Sequence, residues 1–191
     1  MGTSPFAAAI LMSLIENMNY KVVAVVTQPD KPVGRTQQFT ISAVKEVALR
    51  YDLPLFQPYR IKYDYGFLPK VDFIITCSYG QLLPSAVLKL AKITPINIHA
   101  SLLPKLRGAA PIQWAILNDE NETGITITEM TTELDAGAIY SQRKVAIDLI
   151  DNLGSLSLKL TTAACKILLE SLPKIADGRL IKQAQDLSAV T

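Results

Sequence analysis

His99 is the single histidine among 191 residues, and Asn97 stands two positions before it. An imidazole titrates near neutral pH and an amide carries hydrogen-bond donors, so the pair is equipped to move a proton and to hold a polar group. Residues i and i+2 of a strand point to the same side, and Ile96-Asn97-Ile98 reads as a strand, so both side chains are expected to face one pocket. They fall at the strand's C-terminal end, where open α/β sheets bind their ligands. Next comes Ser101-Leu102-Leu103-Pro104-Lys105-Leu106-Arg107-Gly108, too short and irregular for a helix or a strand. Leu102 and Leu103 either plug the core or line a binding surface beside the polar pair. A third candidate is Asp135, in the turn Glu133-Leu134-Asp135-Ala136-Gly137. Turns favour aspartate simply because it bonds nearby backbone amides. Spacing along the chain does not bring it to His99.

The elements that must position these residues alternate between helical and extended patterns, the signature of an α/β sheet with helices on both faces. Helices are predicted at 6–17, 42–51, 84–92, 111–118 and, long and amphipathic, at 152–176. Ser42 is the expected N-cap of the second, Pro84 opens the third, and Pro173 lies near the end of the last. Residues 21–26 form a β-branched run without polar alternation, as in a parallel strand buried on both faces. With 71–77 and 95–99 they are expected as interior strands of a mostly parallel sheet, and 53–56 is a shorter candidate. Residues 124–130 and 138–147 alternate with period two and read as an antiparallel pair at one edge. Residues 2–5 resemble the turn between a strand and a helix, yet no strand precedes them, so the first strand is expected to be missing. Residues 1–182 read as one domain. The polar, unpatterned residues 183–191 read as the start of a linker to a further C-terminal domain.

Composition narrows the classes. Apolar residues make up 49% and charged residues 19%, too apolar for disorder, and the net charge of +2 excludes a polybasic surface as a whole. A local basic loop is still allowed: residues 27–38 hold Lys31 and Arg35 among proline, glycine and glutamine. That stretch is either a solvated flexible loop or a contact for a polyanion. Two cysteines, Cys77 and Cys165, are too few for a disulfide framework and are expected as buried free thiols in a reducing cytosol. No run reaches the roughly 18 apolar residues of a membrane span. Residues 6–15 read as a buried helix rather than a secretion signal, since no basic leader precedes them and Glu16-Asn17 follow.

The blocks Ile96-Asn97-Ile98-His99-Ala100-Ser101-Leu102-Leu103-Pro104 and Arg107-Gly108-Ala109-Ala110-Pro111-Ile112-Gln113 resemble the signature of the 10-formyltetrahydrofolate-dependent formyltransferases. The second block is most similar to the branch acting on methionyl-tRNA. Gly2-Thr3-Ser4-Pro5-Phe6-Ala7, residues 25–35 and Tyr79-Gly80-Gln81-Leu82-Leu83-Pro84 resemble three further family blocks, in the family's order, so the likeness spans nearly the whole chain. Ala100 stands where glycine is expected, Ser4 where proline is commoner, and Lys105-Leu106 where basic–aromatic pairs are frequent. None of these departures touches the candidate trio.

The resemblance implies a Rossmann-like, doubly wound α/β fold and a catalytic trio of Asn97, His99 and Asp135. It implies 10-formyltetrahydrofolate as formyl donor, held by Tyr79, Gly80, Gln81 and Leu82 and by Ser101, Leu102, Leu103 and Pro104, with no metal. The implied acceptor is the amino group of initiator methionyl-tRNA, contacted by Arg35 and Lys31, in support of translation initiation. A monomer without a membrane, in a bacterial cytoplasm or an organellar matrix, is expected. Formyl transfer puts negative charge on the formyl oxygen, which an amide and an imidazolium stabilise, while a carboxylate beside the imidazole helps move the amine's proton. The alternatives are a nucleotide sugar or purine precursor as acceptor, or a folate-binding fragment inactive by itself. A long basic loop favours tRNA over a small acceptor.

Overall fold

Pro5 is pre-set for the first turn of a helix and lacks the N–H that such a turn leaves unpaired. Ser4 caps it, its hydroxyl accepting from the Ala7 amide at 3.3 Å, and α1 runs over Pro5–Ile15 with Ala7, Ala8, Ile10 and Leu14 buried. The computed structural model describes residues 1–33 and 38–191. They divide into two units, Met1–Lys92 and Ile93–Thr191.

In the first unit, α1 packs against α2 (Ala43–Arg50), which starts at its expected cap Ser42. The strand expected over 21–26 is confined to β1 (Val25–Val26), because its parallel partner further along the chain, Leu55–Phe56, is only two residues long. Between them in sequence, β2 (Lys31–Val33) and β3 (Gln38–Thr40) form an antiparallel pair, with Lys31 opposite Thr40 and Pro32 opposite Phe39. The unpatterned loop predicted there is therefore a ladder in part. Lys31, Pro32, Phe39 and Thr40 are exposed, so these residues print no buried pattern in the sequence. Arg35 lies outside the described residues.

Leu55–Phe56 is β4 and Val71–Thr76 is β5. The Gly2 amide donates to the Val26 carbonyl and the Cys77 amide to the Met1 carbonyl, both at 3.0 Å, and Gly2 bridges Cys77 in parallel. Met1 and Gly2 thus hold the place where a strand was expected to be missing. The helix predicted over 84–92 shrinks to α3 (Ser85–Leu88). Val87 is its one buried residue, too little apolar surface to extend it.

The second unit is built on three antiparallel strands, β6 (Ala91–His99, from residue 93 on), β7 (Glu122–Glu129) and β8 (Ile139–Ala146). Ile98 faces Ile127 and His99 faces Thr126, so the strand expected inside the parallel part is antiparallel to β7. The predicted β7–β8 pairing is present, irregular at Ile127 and Thr128. Before β7 runs α4 (Pro111–Leu117), and after β8 runs α5 (Leu153–Ala176), opened by a reciprocal cap between Asn152 and Ser155. α5 lays Leu156, Leu160, Leu168 and Leu172 on the sheet, over Ile125 and Ile127, all essentially without exposure. Residues 183–191 run back along this unit: Gln183 bridges Ile139, and the Thr191 hydroxyl accepts from the Leu106 amide. Among the described residues, no helix is long and apolar enough to cross a membrane.

Candidate functional site

Ile96 pairs with Glu129, the last residue of β7, and the Met130 amide donates to the Pro95 carbonyl at 2.8 Å, so the turn leaving β7 starts beside the β6 residues just before Asn97. That turn carries Asp135 in the left-handed region, with φ of +48°. Asn97 Nδ2 donates to Asp135 Oδ1 at 3.1 Å, and the Gly108 amide donates to Asp135 Oδ2 at 2.9 Å. His99 Nδ1 lies 3.6 Å from the same Oδ2, an ion pair when the ring is protonated; both side chains are only 8% exposed. A carboxylate withdrawn from water is costly unless hydrogen-bonded, and this one takes a donor on each oxygen. The structure therefore gathers Asn97, His99 and Asp135 into one cluster.

His99 Nε2 is 2.8 Å from the Leu106 carbonyl oxygen, which can only accept. Nε2 accordingly carries the hydrogen in this arrangement, and Nδ1 is the ring nitrogen turned to Asp135. Asn97 Nδ2 has a second hydrogen beyond the one given to Asp135, available to an incoming oxygen.

The loop after β6 is pinned from below. Thr126 donates its hydroxyl to the Ser101 carbonyl at 2.6 Å and accepts from the Leu103 amide at 3.1 Å. Gln142 Nε2 donates to the Leu103 carbonyl at 2.8 Å and to the Thr126 hydroxyl at 3.0 Å. Ser101 donates to the Lys105 carbonyl, closing the loop on itself. Leu103 is buried, whereas Leu102 is half-buried against Gly124. Leu103 thus plugs the core, while Leu102 stays partly open to solvent. Pro104 is half-buried too. Ala100 keeps an ordinary backbone φ, so its methyl group brings no left-handed strain.

Tyr79, Gly80, Gln81 and Leu82 belong to the first unit. Tyr79 has its side chain in the core, and burial pushes its phenol up to about 12. Its hydroxyl has no hydrogen-bond partner among the described residues, while its carbonyl accepts from Gln28 and Thr3. Gly80 has φ of +82°, and Gln81 ties down the 58–61 segment through the Ile61 amide and the Pro58 carbonyl. Leu82 is exposed, as is Lys31. Cys77 is buried as expected, whereas Cys165 is half-buried; neither is in a disulfide among the described residues. Among the described residues, no group of three or more His, Cys, Asp or Glu side chains is placed to hold a metal ion.

A family model described as formyl transferase matches residues 1–172. The chain belongs to the formyl transferase family. It is 48% identical over 190 residues to a methionyl-tRNA formyltransferase of Lactobacillus johnsonii, covering 97% of this chain and 60% of that protein. This formyl transferase chain thus spans about 60% of the length of that relative. Among solved structures it is similar to an N-formyltransferase of Helicobacter canadensis in complex with folinic acid and dTDP-3-aminofucose. That match has a TM-score of 0.75 at 20% identity, covering 100% of this chain and 67% of the other. It is also similar to a phosphoribosylglycinamide formyltransferase of Anaplasma phagocytophilum, with a TM-score of 0.74 at 20% identity, covering 97% and 90%. These likenesses bear out the α/β formyltransferase fold.

Sequence reasoning missed several residues around this cluster. Gly108 and Leu106 act through backbone groups, which side-chain types do not reveal. Thr126 was legible in principle, as a polar residue at a core-facing position of an apolar strand. Gln142 lies on the neighbouring strand, and only the β7–β8 register sets it beside Thr126.

Proposed function

We propose that this chain transfers the formyl group of 10-formyltetrahydrofolate to the amino group of initiator methionyl-tRNA. The observation that carries the reading is the Asn97–His99–Asp135 cluster, in a chain 48% identical to a methionyl-tRNA formyltransferase. In the proposed reaction the free amine bonds to the formyl carbon, negative charge collects on the formyl oxygen, and the bond from that carbon to the folate nitrogen then breaks. Asn97 supplies its second Nδ2 hydrogen to the oxyanion. His99 supplies Nε2–H, the formyl oxygen replacing the Leu106 carbonyl as its acceptor. Asp135 holds the imidazolium through Nδ1 and helps pass the proton leaving the amine toward the departing folate nitrogen.

Ser101, Leu102, Leu103 and Pro104 form the surface proposed to take the donor in this unit, and Tyr79, Gly80, Gln81 and Leu82 are proposed donor residues of the first. Lys31 and Arg35 are proposed contacts to tRNA phosphates. Residues 1–182 are proposed as the catalytic domain, with 183–191 packed back on its second unit on the way to a tRNA-binding domain, in a soluble, cytoplasmic or organellar monomer that needs no metal.

The test measures formyl transfer from 10-formyltetrahydrofolate by the full-length gene product to methionyl initiator tRNA, beside an amino-sugar nucleotide and glycinamide ribonucleotide. Transfer to the tRNA alone supports the reading. Transfer to either small acceptor in its place refutes it.

A further inference from the structure

Gln185 lies in the polar segment after α5, where composition gave no reason to look, yet it is buried. Its Nε2 donates to the carbonyls of Asp135 and Gly137, both at 2.8 Å. Its Oε1 accepts from Arg107 Nε at 3.2 Å and Nη2 at 2.6 Å. A primary amide has two donor hydrogens and two acceptor lone pairs, and all four are used here. The groups it joins are not arbitrary. Arg107 sits between Leu106, whose carbonyl takes His99 Nε2–H, and Gly108, whose amide bonds the Asp135 carboxylate. Gly137 closes the turn that carries Asp135, and a Cβ there would fall 1.8 Å from the Glu129 carbonyl oxygen.

We infer that Gln185 is a positioning residue for formyl transfer: with Arg107 it fixes the Asp135 turn against the 106–108 loop, and so sets Asp135 toward His99 Nδ1. It touches no reacting atom and acts through Asp135. The inference rests on the proposed role of Asp135 and extends the functional site into the segment beyond the matched residues 1–172. A displacement of about 1 Å at a reacting group costs on the order of 10²-fold in rate, so the effect belongs in kcat rather than in donor KM.

The experiment compares Gln185→Met, Gln185→Ala and Asp135→Asn in the full-length gene product. Methionine keeps the volume of glutamine and loses all four hydrogen bonds; alanine loses both. Three quantities are read: kcat and donor KM for formyl transfer, the thermal midpoint, and the ring-nitrogen NMR signals of His99, assigned by their absence from His99→Gln. The expected result is a roughly 10- to 100-fold loss of kcat in both Gln185 variants at unchanged donor KM. The Nδ1 signal shifts with it in both; both variants lower the thermal midpoint, because the Asp135 and Gly137 carbonyls and Arg107 lose their partner, and kcat is read at a temperature where each is folded. If Gln185→Met restores kcat and the Nδ1 signal while Gln185→Ala is merely less stable, Gln185 only fills space and the inference is overturned. If Asp135→Asn keeps full kcat, the catalytic reading of Asp135 falls by itself, and the His99 signals alone then decide whether Gln185 positions the turn.

Discussion

Each member of the cluster has a different duty in the proposed reaction, so its loss should show differently. Asn97→Ala removes one oxyanion donor and should lower turnover on the order of 10²–10³-fold. His99→Ala removes an oxyanion donor together with the imidazolium that Asp135 holds, and should cost at least as much. Asp135→Asn keeps a hydrogen-bonding group of the same shape in the turn but turns away the imidazolium. Because the three act as one unit, double variants should be far less than multiplicatively worse, which single-turnover rates for the singles and doubles would check. Near-normal transfer by His99→Ala would refute the mechanism. Tyr79 makes a separate case, because its phenol is buried without a hydrogen-bond partner among the described residues and pushed up to about 12. Above its ordinary value near 10 the unfolded chain releases that proton while the folded chain keeps it. Stability from this group is therefore intact below pH 10 and falls as the pH rises toward 12. Tyr79→Phe should remove that alkaline loss and, by deleting an orphaned hydroxyl, raise stability by about 1–3 kcal/mol in denaturant unfolding at neutral pH. A variant that unfolds as readily as the parent across pH 8–12 would contradict both points.

At the scale of elements, the close approach of Gly137 to β7 is what brings the Asp135 turn home. A methyl group there meets the Glu129 carbonyl at a distance no real contact allows, and backbone must move to relieve it. Gly137→Ala should lower the melting temperature and should lower formyl transfer further than the fraction unfolded explains. Circular dichroism melts and activity at a temperature where the variant is folded would separate the two effects; full specific activity in the folded variant would show that the turn tolerates the shift. The same turn marks where the sequence stops being readable. Asn97 and His99 could be placed together because two residues of one strand share a face whatever lies next to it. Asp135 could not, because its place depends on the antiparallel register of β6 with β7, and register is a property of two strands. Helix α2 was legible down to its cap, Ser42, because capping is local. The strand over 21–26 was overread for the opposite reason: β propensity runs its whole length, but the partner β4 pairs with only two residues. Gln185 left no local mark at all, being one amide in a polar tail whose partners are brought to it by tertiary structure.

For the whole molecule, the question is how a chain with a net charge of only +2 would engage a polyanion as large as tRNA. A weak overall charge gives little long-range attraction, so affinity has to come from a few basic groups held at the contact. Lys31 is exposed on β2, and the residues that follow it carry Arg35. At the base of this stretch Asp30 is tied to Lys45 and Gln57; the hydrogen bond from Lys45, then that from Gln57, holds its carboxyl below the ordinary carboxylate range. That carboxylate is thereby committed to Lys45, and Lys31 is left facing solvent beside it. If Lys31 and Arg35 neutralise phosphates, each releases about one counterion on binding, and the salt dependence of affinity counts them. Lys31→Ala and Arg35→Ala should each weaken tRNA binding by the full-length gene product and reduce the slope of log affinity against log salt by about 1. Affinity for a folate donor analogue, measured by titration calorimetry on the same variants, should not change, because the contacts proposed for these side chains are to the acceptor and not to the formyl group. A salt slope equal to the parent's in both variants would remove them from the tRNA contact and leave the proposed chemistry at Asn97, His99 and Asp135 to be judged on its own rates.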